Sequence, residues 1–153
     1  MDVRPVAASH PAGYVVALVG VVGFVVSCFL PYLGGAFLPP GGTISLFRLV
    51  ALPSVRGAQL GGVIYLFAGA ATTGVISIIG LYRARTWTPY ALVAGVAAWT
   101  LTWVGVLISQ WAFGPHETGY WTLYASLGVG IVGAIVVWVS SRSHEREPAP
   151  SPA

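Results

Sequence analysis

The sequence predicts an all-α integral membrane protein: a four-helix bundle, N-in/C-in, with a short interfacial helix in its first outer loop. Three observations carry this. Of 153 residues, 56% are hydrophobic and 7% charged, whereas an ordinary soluble domain carries about 25% charged residues. The charges stand between long uncharged tracts: no Asp, Glu, Lys or Arg lies between Arg4 and Arg48, Arg56 and Arg83, Arg85 and Glu117, or Glu117 and Arg142. Runs such as Val15-Val16-Ala17-Leu18-Val19 lack the period-two alternation of a barrel strand. Such a chain cannot clothe a soluble surface in charge, which excludes an ordinary cytosolic enzyme. Its seven basic residues are scattered and form no phosphate-binding patch, so nucleic acid is excluded as a partner.

Each uncharged tract supplies one span of roughly 20 residues, enough to cross a hydrocarbon core about 30 Å thick. The spans are placed at 13–33, 59–82, 89–113 and 120–141. They follow a cytoplasmic segment, 1–12, and precede a Pro-rich tail, 142–153, that reads as disordered. Arg4, Arg83, Arg85, Arg142 and Arg146 fall on one side of this arrangement and only Arg48 and Arg56 on the other. Arginine is retained inside, so both termini are expected in the cytoplasm, in a bacterial plasma membrane. Tyr14, Tyr32, Tyr82, Trp87, Tyr90, Trp111, Tyr120, Trp121 and Trp138 lie near span ends, where amphipathic rings settle.

Within span one, Val25-Val26-Ser27-Cys28 resembles a lipobox with a lipidated cysteine. The alternative is a small buried thiol, since the apolar run continues through Phe29 and Leu30. A single cysteine permits no intramolecular disulfide. The outer loop, 34–58, carries the turn cluster Pro39-Pro40-Gly41-Gly42. Beyond it Ile44, Phe47 and Ala51 recur at helical spacing, with Ser45 and Arg48 on another face. This predicts a short interfacial helix, acting either as a lid or as a partner-docking surface. The inner turn 83–88 is basic, and Thr88-Pro89 reads as a helix start, Thr88 capping and Pro89 at the first helical position. The turn 114–119 is tight, which makes spans three and four antiparallel neighbours.

Chemistry inside the spans is sparse. His10, His116 and His144 lie outside them, which excludes haem held by paired in-span histidines. No Cys, His, Asp or Glu cluster has metal-ligand spacing. No span holds an ionisable acid or base, which argues against a pump or coupled transporter. The pair His116-Glu117 reads as a solvated turn rather than a proton or metal site.

Small residues are the strongest interior signal. Ser126, Gly130 and Ala134 repeat along span four, and Gly69, Thr73 and Ser77 along span two. Span three has Ala91–Gly95 and Ala94–Ala98; span one has Ala17, Gly20, Gly23 and Ser27. Such stripes let helix backbones approach closely. They serve either packing within the bundle or, most plausibly on span four, a face for another subunit. Thr72 and Thr73 lie at a depth similar to Thr100 and Thr102, so their hydroxyls either pair across helices or bond back to their own. Trp99, Trp103 and Gln110 line one face of span three. That face is either core packing or the wall of a crevice for a lipid, quinone or carotenoid.

Three motifs add a resemblance. Ser27-Cys28-Phe29-Leu30-Pro31-Tyr32 closing span one, the arginine turn Arg83-Ala84-Arg85-Thr86-Trp87, and Gly119-Tyr120-Trp121 opening span four are similar to small four-span membrane proteins of high-GC actinobacteria. That group includes the tryptophan-operon-associated membrane proteins. Cys28 and Tyr32 stand where Ser/Gly-rich and Trp forms are usual. The resemblance implies the four-span fold and no catalytic residues. Together these readings predict a non-catalytic accessory or assembly subunit of a larger membrane complex, with the lipid bilayer and other membrane subunits as partners. The rival is a membrane protein that binds a lipid, quinone or carotenoid; no other cofactor is expected.

Overall fold

The structure is a computed structural model. It describes residues 11–34, 42–50, 58–83, 85–110 and 117–145, except for the side chains at 33–34, 49–50, 58–60, 106–110 and 144–145. The order is α1 (Pro11–Ser27), β1 (Pro31–Gly34), β2 (Thr43–Ser45), α2 (Leu46–Val50), α3 (Ala58–Tyr82), α4 (Thr88–Gln110) and α5 (Thr118–Glu145). The described chain is mostly helical. Two helical segments, Gly61–Tyr82 and Thr118–Ser143, are long and apolar enough to cross a membrane, and α1 is a shorter apolar helix.

The long helices form a ring in which α1 packs on α5 and α3, and α4 on α3 and α5. Contacts fix the directions. Gly13 lies at Val137 and Gly23 at Ser126, so α1 and α5 run antiparallel. Gly80 lies at Tyr14 and Gly74 at Val21, so α1 and α3 are antiparallel; Gly69 lies at Trp99 and Gly95 near Thr73, which does the same for α3 and α4. Trp103 meets Tyr120 and Tyr124, while Trp99 lies beside Gly130, so α4 and α5 are antiparallel as the short turn 114–119 implied. The start of α1, the end of α3, the start of α4 and the end of α5 therefore share one end of the bundle. Arg83, Arg85 and Arg142 are exposed at that end, with the Arg142 guanidinium carbon 4.2 Å from the centre of the Trp138 ring.

The sequence placed span one as far as residue 33, but α1 ends at Ser27. Ser27 Oγ donates to Phe24 O at 2.6 Å and Cys28 Sγ donates to the same carbonyl at 3.2 Å. These bonds occupy the carbonyl of the last turn, and Pro31 disfavours helical geometry in the residue before it. The chain then turns and forms β1, antiparallel to β2, with Pro31 opposite Ser45 and Leu33 opposite Ile44. One extra residue, Tyr32, is accommodated as a bulge, and its side chain is fully buried. The helix of this loop starts later than its hydrophobic spacing suggested: residues 43–45 are strand and Leu46–Val50 is helical, while Ala51 lies outside the described residues.

At the other end, the sequence read a tail from Arg142. Instead α5 continues to Glu145; 28 residues extend about 42 Å at 1.5 Å each, beyond an apolar core about 30 Å thick. Residues 146–153, like 1–10, lie outside the described residues. Thr88 opens α4, but its hydroxyl donates to Arg85 O at 2.7 Å rather than capping the helix. It also lies 3.0 Å from the Tyr14 hydroxyl, which ties the starts of α1 and α4 together.

Candidate functional site: the bundle interior and its β1–β2–α2 cap

Two buried clusters fill the bundle. Near the arginine-rich end, Tyr14, Ala17, Leu92, Val96, Ala134 and Val137 pack together. Toward the opposite end the core turns aromatic: Phe24, Tyr32, Trp99, Trp103 and Tyr120 pack with Cys28, Leu46 and Leu66. Phe24 meets Trp99 edge to face at 5.4 Å, and Trp103 meets Tyr124 likewise at 5.4 Å. The Tyr120 and Tyr124 hydroxyls are 2.9 Å apart.

Trp99 and Trp103 are thus enclosed rather than set on an open crevice, each about 1% exposed. Burial of an indole normally brings a partner for its N–H. Among the described residues neither Nε1 atom has one, and neither does the buried Thr73 Oγ1. Gln110 closes α4, but its side chain lies outside the described residues.

The small-residue stripes face neighbouring helices. Ser126, Gly130 and Ala134 are buried, and a Cβ built on Gly20 would lie 2.7 Å from both Gly130 N and Ser126 O. The span-four ridge is therefore covered by α1. Gly69 and Thr73 face α4: a Cβ on Gly69 would meet the Trp99 Cβ at 3.0 Å, and one on Gly95 would meet Thr73 Oγ1 at 3.5 Å; Thr73 and Ser77 are fully buried. Ser77 donates to Thr73 O at 2.8 Å. Thr100 and Thr102 bond back to Val96 O and Ala98 O, resolving their hydroxyls toward their own helix. On α4, by contrast, Ala94, Ala97, Ala98, Leu101 and Gly105 are exposed, and a Cβ on Gly105 would meet nothing within 4 Å.

Sequence reasoning missed the tightest positions. Gly133 packs on the α1 backbone, where an added Cβ would meet Ala17 Cα at 2.8 Å and Gly13 O at 2.8 Å. Gly80 makes room for the Tyr14 ring. A spacing of three between Gly130 and Gly133 was the available signal. Two of the resemblance motifs form one junction: a Cβ on Gly119 would meet Pro31 O at 2.7 Å, Glu117 N–H donates to Tyr32 O at 3.2 Å, and Tyr120 lies 5.7 Å from Tyr32. Cys28 is a free, buried thiol beside this junction. Glu117 is described there, whereas His116 is outside the described residues.

The cap itself is held by Leu46, fully buried in the aromatic cluster, and by Phe47 N–H donating to Cys28 O at 3.2 Å. Among the described residues, no group of three or more His, Cys, Asp or Glu could hold a metal ion. In comparison with known proteins, no family model matches the chain, nor does any characterised protein or solved structure.

Proposed function

We propose that this chain crosses a bacterial plasma membrane four times, with both termini cytoplasmic, and acts as a non-catalytic accessory or assembly subunit of a larger membrane complex. The outward faces of α1 and α4 carry the reading. On α1 the exposed positions include Val15, Val19, Val22, Val25 and Val26; on α4 they include Tyr90, Ala94, Ala97, Ala98, Leu101 and Val104. None is charged. A water-soluble bundle would place its charges on those faces, whereas lipid accepts them as they are. The exposed arginines at the ends of α3 and α5 and before α4 favour that end as the cytoplasmic one. The absence of Asp, Glu, Lys, Arg and His from the predicted spans supports a role without catalysis or ion coupling.

With the Ser126–Gly130–Ala134 ridge covered by α1, α4 offers a small-residue face open to a partner. Ala98→Leu adds bulk there without touching the bundle interior. After purification in mild detergent, the variant is expected to lose subunits that the natural chain retains, while its monomer melts within a degree or so of the parent, because exposed substitutions usually shift stability by no more than about 0.5 kcal/mol. Undiminished recovery of the same subunits counts against this face.

A second reading, a protein that binds a lipid, quinone or carotenoid at Trp99 and Trp103, is favoured by their unpartnered indole N–H groups. A carbonyl oxygen would satisfy them. It requires the closed interior to part, because both rings are already sealed.

A further inference from the structure

Two large rings are left outside the bundle at its outer cap. Phe29, just past α1, and Phe47, on α2, stack with centroids 5.8 Å apart and planes 23° from parallel, yet they are 67% and 60% exposed. Arg48 follows Phe47 and is also exposed. The patch does not swing freely. Leu46 is locked in the aromatic core, Phe47 N–H is held by Cys28 O, and Arg48 N–H reaches Ser45 Oγ at 3.4 Å. Trp121, 63% exposed, lies at the same end of the bundle.

We propose that Phe29, Phe47 and Arg48 form a seat for an anionic phospholipid of the outer leaflet. This rests on the four-span reading, which puts the patch where α1 ends and the headgroup region begins. Two aromatic rings beside one cation are complementary to a lipid, not to water: the rings offer apolar surface to the upper acyl chain, and the guanidinium can hold a phosphate oxygen in a forked geometry. An arginine stem can lie along apolar surface while its head reaches the phosphates. Glu117, the other described charge at this end, lies at the start of α5, where its backbone N–H donates to Tyr32 O. The exposed side chain that follows Phe47 is the cation Arg48, which selects an anionic headgroup over a zwitterionic one.

The test uses the full chain in vesicles of equal phosphatidylcholine and phosphatidylglycerol, followed by native mass spectrometry of the lipids it retains. The natural chain is expected to keep a phosphatidylglycerol molecule that Arg48→Gln loses, with retention falling about fivefold, the ratio equivalent to about 1 kcal/mol for one arginine near an anionic surface. Phe29→Ser with Phe47→Ser should lose it too, and Arg85→Gln, at the opposite end, should not. Equal retention by Arg48→Gln overturns the seat. So does a dimer that disappears in the Phe47→Ser variant, since a second copy would then be the occupant. Flotation separates the two levels of the argument: a chain that does not float with vesicles defeats the membrane reading itself, whereas one that floats but shows no dependence on Arg48 defeats only the lipid seat.

Discussion

Gly133→Leu is expected to cost the monomer at least the upper end of the about 1–3 kcal/mol typical of overpacking, read as a lowered melting temperature in detergent. At this position the obstacle is main chain. The first added atom would meet Ala17 Cα and Gly13 O, both at 2.8 Å, and neither can turn aside as a side chain could. α1 would have to move away from α5, opening the register that also places Gly20 on Gly130 and Ser126. Gly130→Leu should cost less, because its first contact is the far edge of the Trp99 ring at 3.2 Å. Gly128 lies on the same helix, is exposed, and has nothing within 4 Å of an added Cβ. Gly128→Leu should therefore leave the monomer unchanged or slightly firmer, since glycine is a poor helix former. Equal effects at 133 and 128 would mean that α1 and α5 do not meet along this seam.

Trp99→Ala is expected to remove about 3–5 kcal/mol, the usual range for emptying a buried aromatic site. The ring is wedged between Gly69, Phe24 and Gly130, so the cavity would lie where α1, α3, α4 and α5 converge. Trp99→Phe should cost far less. It keeps part of the volume and deletes an indole N–H that has no acceptor, whose burial alone carries a penalty of about 1–3 kcal/mol. The same pair of variants separates packing from binding. Under the packing account, an organic extract of the natural protein and of Trp99→Phe contains the same lipids in the same amounts. Selective loss of a quinone, carotenoid or single lipid species from a still-folded Trp99→Phe variant would favour the guest-binding reading instead.

The helices were legible because they rest on composition and spacing. Long uncharged tracts between Arg56 and Arg83, and between Glu117 and Arg142, mark α3 and α5 without any knowledge of neighbours. The stripes through Gly130 and Gly69 were legible as contact surfaces for the same reason, but not which helix covers them. That depends on pairing, and α1 took the face of α5 that looked most available to another subunit. The cap was not legible. A period-two pattern cannot be recognised in three residues, so Thr43–Ser45 read as the start of a helix, and Pro31 was a weaker stop signal in the sequence than it is in the fold. The aromatic spacing of α4 put Trp99 and Trp103 on one face, and both lie in the same buried cluster. Whether that face was open or closed depended on Phe24, Tyr120 and Tyr124, which come from other helices.

Site-directed cysteine labelling in a Cys28→Ser background tests the four-span arrangement most directly. Thr43 and Ser143 are both exposed, one in β2 and one near the end of α5. In intact cells, a membrane-impermeant maleimide is expected to label Thr43→Cys at once and Ser143→Cys only after the membrane is opened. Labelling of both positions in intact cells, or of Ser143→Cys alone, would contradict three crossings between them with the arginine-rich end inside.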